Sequence, residues 1–385
     1  MSEMSDNSTA NTGSSREKIN LLGLSHAAMA TLLERLGEKP YRAVQVMKWL
    51  HHRMVDDPAC MTDISKKLRQ HFSENMCIAE PEVIEEKHSV DGTRAWLMRS
   101  TSGGAFETVF IPEENRGTLC VSSQVGCALD CQFCATGKQG FEGNLSAAEI
   151  IGQLRLAIRR LAEDFPEKGR QVTNVVFMGM GEPLLNFDEV TTAINVMMDD
   201  LGYGISKRKV TVSTAGMVPA IYRLAECTDA SLALSLHAPD DELRSRLMPV
   251  NRKYPLSEVL KAVNDYAATL GEKRTITIEY TLIDGVNDQP SHAAGLARLL
   301  ANTPCKINLI PFNPFPGSEF RRPANIAVRA FQDRLIRAGY SATVRTTRGE
   351  DISASCGQLV GKVKDRTSRQ KKYGLDGEQL IAVSR

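Results

Sequence analysis

Apolar positions near the start of the chain recur at helical spacing. Met29, Leu32, Leu33 and Leu36 follow Ser25 and stop at Gly37, which predicts one capped helix. The stretch 40–53 begins at Pro40, mixes apolar with basic positions and predicts a second; a third is expected after Thr62. Lys48, His51, His52, Arg53, Lys66, Lys67 and Arg69 lie in this region. They form either a solvated helix face or a phosphate-contacting surface. From about residue 82 to 111 the pattern changes to short strands: a charged hairpin around Asp91-Gly92, then 95–98, then 106–111.

From Thr118 the rhythm is strand, loop, helix, repeated. Strands are expected at 118–123, 173–178, 208–213, 231–237, 275–282 and 305–310. Ser146-Ala-Ala-Glu149 has capping-box spacing at the first intervening helix. Near-continuous apolar strands alternating with helices argue for an α/β protein with a parallel sheet and outer helices. Six units are too few for a closed eight-fold barrel. The expectation is a partial (β/α)6 barrel with a small helical N-terminal domain, and a ligand site at the C-terminal strand ends.

Composition narrows this little. The 385 residues are 42% hydrophobic and 24% charged, with 47 basic against 46 acidic side chains, giving a net charge of +1. Bulk charge therefore neither requires nor excludes nucleic acid. No apolar run reaches the ~18 residues of a membrane span. The polar stretch 1–17 has neither signal-peptide nor transit character, and reads as a disordered tail on a cytoplasmic protein. Nine cysteines are too few for a disulfide scaffold and cluster unevenly, as thiols that bind metal or react do.

Three of them stand together in Cys127-Ala-Leu-Asp-Cys131-Gln-Phe-Cys134. Thiolates are soft ligands for zinc or iron–sulfur clusters, and these three can converge on one centre. The next dozen residues supply no Cys or His to complete a structural zinc site. Beyond this loop the strand ends are polar: Gly179-Met-Gly181-Glu182-Pro183, Ser213, Ser235-Leu236-His237 and Asn313.

The triplet, with an aromatic residue before its last Cys, resembles the signature of radical S-adenosylmethionine (SAM) enzymes. Its surroundings resemble the RlmN family more narrowly: Thr118-Leu-Cys-Val-Ser-Ser-Gln-Val-Gly-Cys127, Gly179-Met-Gly-Glu-Pro-Leu-Leu-Asn186, Ser235-Leu-His-Ala-Pro239, Asn308-Leu-Ile-Pro-Phe-Asn-Pro-Phe-Pro-Gly317 and Arg348-Gly-Glu-Asp-Ile-Ser-Ala-Ser-Cys356-Gly-Gln-Leu359. The resemblance runs from about residue 18 to 370. It implies a radical-SAM methyltransferase acting on C2 of adenine in 23S ribosomal RNA and tRNA. The related Cfr proteins methylate C8; Val125, where an additional Cys is expected in them, and the longer N-terminal region favour C2.

The resemblance also implies roles. Cys127, Cys131 and Cys134 would hold one [4Fe–4S] cluster whose open iron binds SAM. Gly181, Glu182, Ser213, Ser235, Leu236, His237 and Asn313 would contact SAM. Cys356 would carry a methyl group as S-methylcysteine, Glu107 would accept the C2 proton, and Cys120 would resolve the adduct through a transient disulfide with Cys356. On this basis the chain divides into a tail (1–17), a helical RNA-binding accessory domain (18–80), a short-strand extension or linker (81–115), a radical-SAM core (116–346) and a C-terminal segment (347–385). A flavodoxin-type electron donor, a monomeric state and no membrane are expected. Two basic runs, 362–372 and Ser206-Lys-Arg-Lys209, weakly support an RNA partner. Cys60, Cys77, Cys227 and Cys305 are expected to be structural. Competing readings are C8 methylation, a radical-SAM activase of a partner protein, and an RNA-binding module with structural zinc.

Overall fold

The computed structural model describes residues 18–271 and 274–373. The expected tail, 1–17, and the last part of the C-terminal segment, 374–385, lie outside the described residues.

The helical region is closed by a two-residue parallel pair, β1 (Ile19–Asn20) and β2 (Met76–Cys77). Between them, α1 (His26–Arg35) starts where Ser25 Oγ accepts from Ala28 N–H at 3.3 Å, and ends before Gly37 at φ +76°. Helix α2 (Arg42–Met47) runs into a single π turn at Lys48–His52, and α3 (Lys66–Asn75) is capped by Ser65. That π turn corrects one expectation. It rotates His51 inward against Tyr203, ring centroids 5.2 Å apart, so His51 is buried and not part of a basic face. Burial pushes its pKa down to about 3, with Arg155 and His52 adding repulsion.

Ten of the twelve remaining strands build one sheet. Three antiparallel strands come first: β3 (Glu82–His88), β4 (Arg94–Arg99) and β5 (Ala105–Glu113). Strand β6 (Arg116–Cys120) pairs antiparallel with β5 and parallel with β9 (Asn174–Phe177), so the 81–115 stretch continues the barrel sheet. A side hairpin, β7 (Gln124–Gly126) with β8 (Phe141–Asn144), brackets α4 (Ala135–Gln139). Parallel pairing then proceeds through β10 (Val210–Thr214), β11 (Ser231–Ser235), β12 (Ile276–Leu282), β13 (Cys305–Pro311) and β14 (Ala342–Val344). The six expected parallel strands are present; β14 is a seventh, too short to show a period.

Helices α5 (Ala147–Asp164), α6 (Phe187–Met198), α7 (Val218–Cys227), α8 (Asp241–Leu247), α9 (Leu256–Thr269), α10 (Pro290–Leu299) and α11 (Asn325–Arg337) connect these strands. The capping box forms as the spacing predicts: Glu149 N–H donates to Ser146 Oγ at 3.2 Å, and Ser146 N–H to Glu149 Oε2 at 2.8 Å. The fully buried Arg155 of α5 docks the N-terminal helices, donating to Asp56 Oδ1 at 2.9 Å and Glu80 Oε1 at 2.7 Å. The last described element is α12 (Arg369–Tyr373).

Candidate active site

The cysteine loop leaves the sheet through β7 and returns through β8. At Gly126, φ +76°, a Cβ would lie 2.1 Å from Gly140 O, so only glycine lets the hairpin close. Cys127 N–H donates to Gly140 O at 2.7 Å, and Leu129 N–H to Cys127 Sγ at 3.4 Å. The loop's outer side is clamped by Arg369 of α12. Its guanidinium donates to Cys127 O and Leu129 O, both at 2.8 Å, to Gly137 O at 3.2 Å, and to Ala128 O. Lys372 and Tyr373 add bonds to Asp130. Part of the 362–372 basic run is thus spent inside the protein; Lys362, Lys364, Arg366 and Lys371 stay exposed.

Cys127, Cys131 and Cys134 line a cavity of about 140 Å³ at the C-terminal strand ends. Gly181, Glu182, Ser213, Ser235, His237, Asn313 and Cys356 line it too. Leu236 does not: its side chain is fully buried in the core, its N–H donates to Glu279 O, and its carbonyl accepts from Arg244 Nε. Glu182 accepts from Leu184 N–H at 3.1 Å and Ala215 N–H at 2.8 Å, while burial pushes its pKa up to about 7. Gly181, φ +102°, sits where a Cβ would approach Gln124 Cβ to 2.5 Å. His237 occupies the left-handed region at φ +59°. Its Nδ1 accepts from Thr281 N–H at 2.8 Å and burial lowers its pKa to about 3, so the neutral ring carries its proton on Nε2.

The three thiols test what the loop can hold. Burial, then Cys134, pushes Cys127 up to about 12; burial and the other two thiols push Cys131 well above the ordinary range. Such thiols become thiolates on a strongly positive centre. A single zinc ion needs its sulfurs about 2.3 Å from one point. Among the described residues no three Cys, His, Asp or Glu side chains converge in that way. Three soft sulfur donors lining one cavity fit an iron–sulfur cluster that keeps one iron open.

Cys356 lines more than one space. It lines the main cavity and an adjoining one of about 10 Å³ shared with Cys120, Met178 and Arg345. Cys120 ends β6; burial, then the neighbouring Cys356, pushes its pKa up to about 12, against the pull of Arg345. Cys356 is pushed up to about 11 by burial, again opposed by Arg345. No disulfide joins these two cysteines or any others among the described residues. Glu107 lies on β5, buried, and lines neither cavity. Its Oε2 accepts from Val360 N–H at 3.0 Å, four residues beyond Cys356, and burial raises its pKa to about 7. Cys60 and Cys227 are exposed and, with Cys77 and Cys305, line neither cavity.

Sequence reasoning missed Glu279, Arg345 and Arg369. Glu279 carried a signal, an acid inside the apolar run Ile-Thr-Ile-Glu-Tyr-Thr-Leu of β12. Arg345 and Arg369 carried none, because their partners are remote in sequence.

A family profile described as "Ribosomal RNA large subunit methyltransferase N-terminal domain" matches residues 19–78, and the "Radical SAM superfamily" profile matches 121–296. The chain is 58% identical over 365 residues to "Dual-specificity RNA methyltransferase RlmN" of Pseudomonas putida (strain W619), covering 95% of each. It is 59% identical over 357 residues to the protein of that name from Marinobacter nauticus (strain ATCC 700491 / DSM 11845 / VT8), covering 93% of this chain and 96% of the relative. The crystal structure of a radical SAM methyltransferase from Sphaerobacter thermophilus matches with TM-score 0.82 and 42% identity, over 89% of this chain and 99% of that one.

Proposed function

The chain belongs to the RlmN family of radical SAM RNA methyltransferases, and we propose that it methylates C2 of one adenine in 23S ribosomal RNA and of an adenine beside the anticodon in tRNA. The observation that carries this reading is the meeting of the cysteine loop, Cys356 and Cys120 around one pair of joined cavities. A radical-SAM activase of a partner protein would leave these two further thiols without a role. Val125, fully buried, occupies the position where a Cfr-like protein would carry another Cys, which favours C2 over C8.

Cys127, Cys131 and Cys134 would hold one [4Fe–4S] cluster, with Gly181, Glu182, Ser213, Ser235, His237 and Asn313 around SAM. When bound, these groups supply a methyl cation equivalent and a 5′-deoxyadenosyl radical able to abstract hydrogen. The protein's own part is to hold carbon and move protons. Cys356 takes the methyl group by thiolate attack, for which its burial is a cost and Arg345 a help. After hydrogen abstraction the S–CH2 carbon joins adenine C2, so that Cys356 is linked to RNA. Glu107, ionised above pH about 7, takes the C2 proton, and the radical adduct gives up one electron, returned to the electron carrier that began the cycle, which leaves a closed-shell thioether. Cys120 then attacks the Cys356 sulfur; the S–C bond breaks and its electron pair passes to the methylene carbon, which is protonated. The products are 2-methyladenine and a Cys120–Cys356 disulfide, which two electrons from an outside reductant reopen.

The same reading takes the protein as a cytoplasmic monomer with a flavodoxin-type electron donor. Among the described residues no helix is long and apolar enough to cross a membrane. The N-terminal helices and exposed lysines and arginines would meet RNA phosphates, with a splayed adenine entering the cavity.

Anaerobic reconstitution with SAM, reductant and an unmodified ribosomal RNA fragment tests the reading. A methyl group at adenine C2, and a covalent RNA–protein adduct trapped by Cys120→Ala, are expected. Methylation at C8 would move the protein to the Cfr type. Turnover by Cys120→Ala without adduct would remove that thiol from the mechanism.

A further inference from the structure

Beside the reacting thiol stand a buried carboxylate that this chemistry leaves unused and a half-buried guanidinium that it uses only through its charge. Glu279 of β12 lines the cavity and is only 4% exposed. Ser213 Oγ donates to its Oε2 at 3.0 Å, whereas Oε1 is buried without a partner among the described residues. The Asn308 side chain, on the paired strand, also acts on the carboxylate as a hydrogen-bonding neighbour that opposes the rise in its pKa. Arg345 follows β14 and lines the smaller cavity with Cys356 and Cys120. Among the described residues its guanidinium makes no side-chain hydrogen bond or ion pair; its electrostatic neighbours are Cys356, Glu279 and Cys120.

Opposite charges in a poorly hydrated site normally pair. Here they feel each other, flank the same sulfur, and remain outside the 4.0 Å of an ion pair. An unsatisfied buried carboxylate oxygen costs free energy that a ligand donor recovers. A ligand set between them must therefore offer a donor to Glu279 and an acceptor to Arg345. Adenine does so on the edge that contains C2: an exocyclic amine, then ring nitrogens on either side of the carbon.

We propose that Glu279 and Arg345 grip the target adenine. Glu279 Oε1 accepts from the N6 amine, and the Arg345 guanidinium donates to a ring nitrogen beside C2, which presents that carbon to Cys356. The donation also withdraws electron density from the ring and makes C2 a better acceptor for the incoming carbon. This assignment rests on the methyltransferase reading above and adds its specificity determinants. The adenosyl group of SAM offers the same chemistry, so the test separates the two sources.

RNA fragments carrying adenine, purine (which lacks the N6 amine), 1-deazaadenine or 3-deazaadenine at the target position are compared by kcat/KM. Binding of S-adenosylhomocysteine is measured in parallel. Wild-type protein is expected to prefer adenine over purine by about tenfold or more, as sites built to bond a donor do. Glu279→Leu should shrink that preference to within about threefold while leaving S-adenosylhomocysteine affinity unchanged. Arg345→Gln should abolish the preference against one of the two deaza bases. Should the leucine variant misfold, Glu279→Gln, a neutral and weaker acceptor, must give an intermediate preference. Full adenine preference in either Glu279 variant overturns the grip. So does weakened S-adenosylhomocysteine binding with the preference intact, which would assign the carboxylate to the cofactor's adenosine. Wild-type protein that fails to methylate unmodified adenine at C2 sinks the underlying reading, and the grip with it.

Discussion

Arg369→Ala should loosen the cysteine loop without touching a thiol. One guanidinium satisfies four carbonyls there, those of Cys127, Ala128, Leu129 and Gly137. Hydrogen bonds to a charged group are worth about 1.5–3 kcal/mol each, and four that share one half-buried head are far from additive. A net loss of about 3 kcal/mol is reasonable, roughly a hundredfold in the equilibrium between closed and open loop. The assay is hydrogen exchange on cluster-free protein, read at the amides of Cys127 and Cys134, which bond Gly140 O and Cys131 O. Exchange should accelerate by about that factor, and reconstituted protein should lose iron faster to a chelator. Arg369→Lys, unable to span four acceptors, should fall between. Lys371→Ala, an exposed cation of the same helix, is the control and should change neither reading. Unchanged exchange and iron retention in Arg369→Ala would refute the claim that α12 straps the loop.

Other outcomes follow from burial and charge. Cys127→Ala should remove cluster absorbance and all turnover, whereas Cys356→Ala should keep the cluster and reductive SAM cleavage but transfer no methyl group to RNA. Adduct resolution should speed up as pH rises through about 7, where Glu107 ionises, and Glu107→Gln should be slower by about a hundredfold and flat with pH; an identical rise in the variant would clear Glu107 of the role. His51 is a base whose folded pKa, about 3, lies below its unfolded value of 6.5, so the unfolded chain binds the proton first and stability falls as pH drops below 6.5. At pH 5 that amounts to about 2 kcal/mol, with His237 adding a similar share, and His51→Phe should flatten the dependence of Tm on pH.

Local signals carried most of the fold. Ser25 and Ser146 cap helices because their hydroxyls meet orphan amides one turn on, a matter of three residues. The six apolar strands announced themselves because parallel strands are buried on both faces. What escaped depends on pairing between remote segments. Nothing near Ala342–Val344 says that it adds to β13, and nothing in 82–113 says that its strands extend the barrel sheet through β6. His51 looked like a surface cation until a π turn buried it. At the site, cysteine spacing and strand-end polarity point to the cavity; of the expected site residues Leu236 and Glu107 do not line it, and Cys120 lines only the smaller space beside it. Arg369 was read as part of a surface charge run because its partners lie some 240 positions earlier.

The most direct test of the whole account uses SAM whose methyl group carries three deuterons. If Cys356 carries the methyl and loses one hydrogen before the carbon joins RNA, the product is adenine with a CHD2 group at C2. An intact CD3 group would show direct transfer from SAM and contradict the account at its centre.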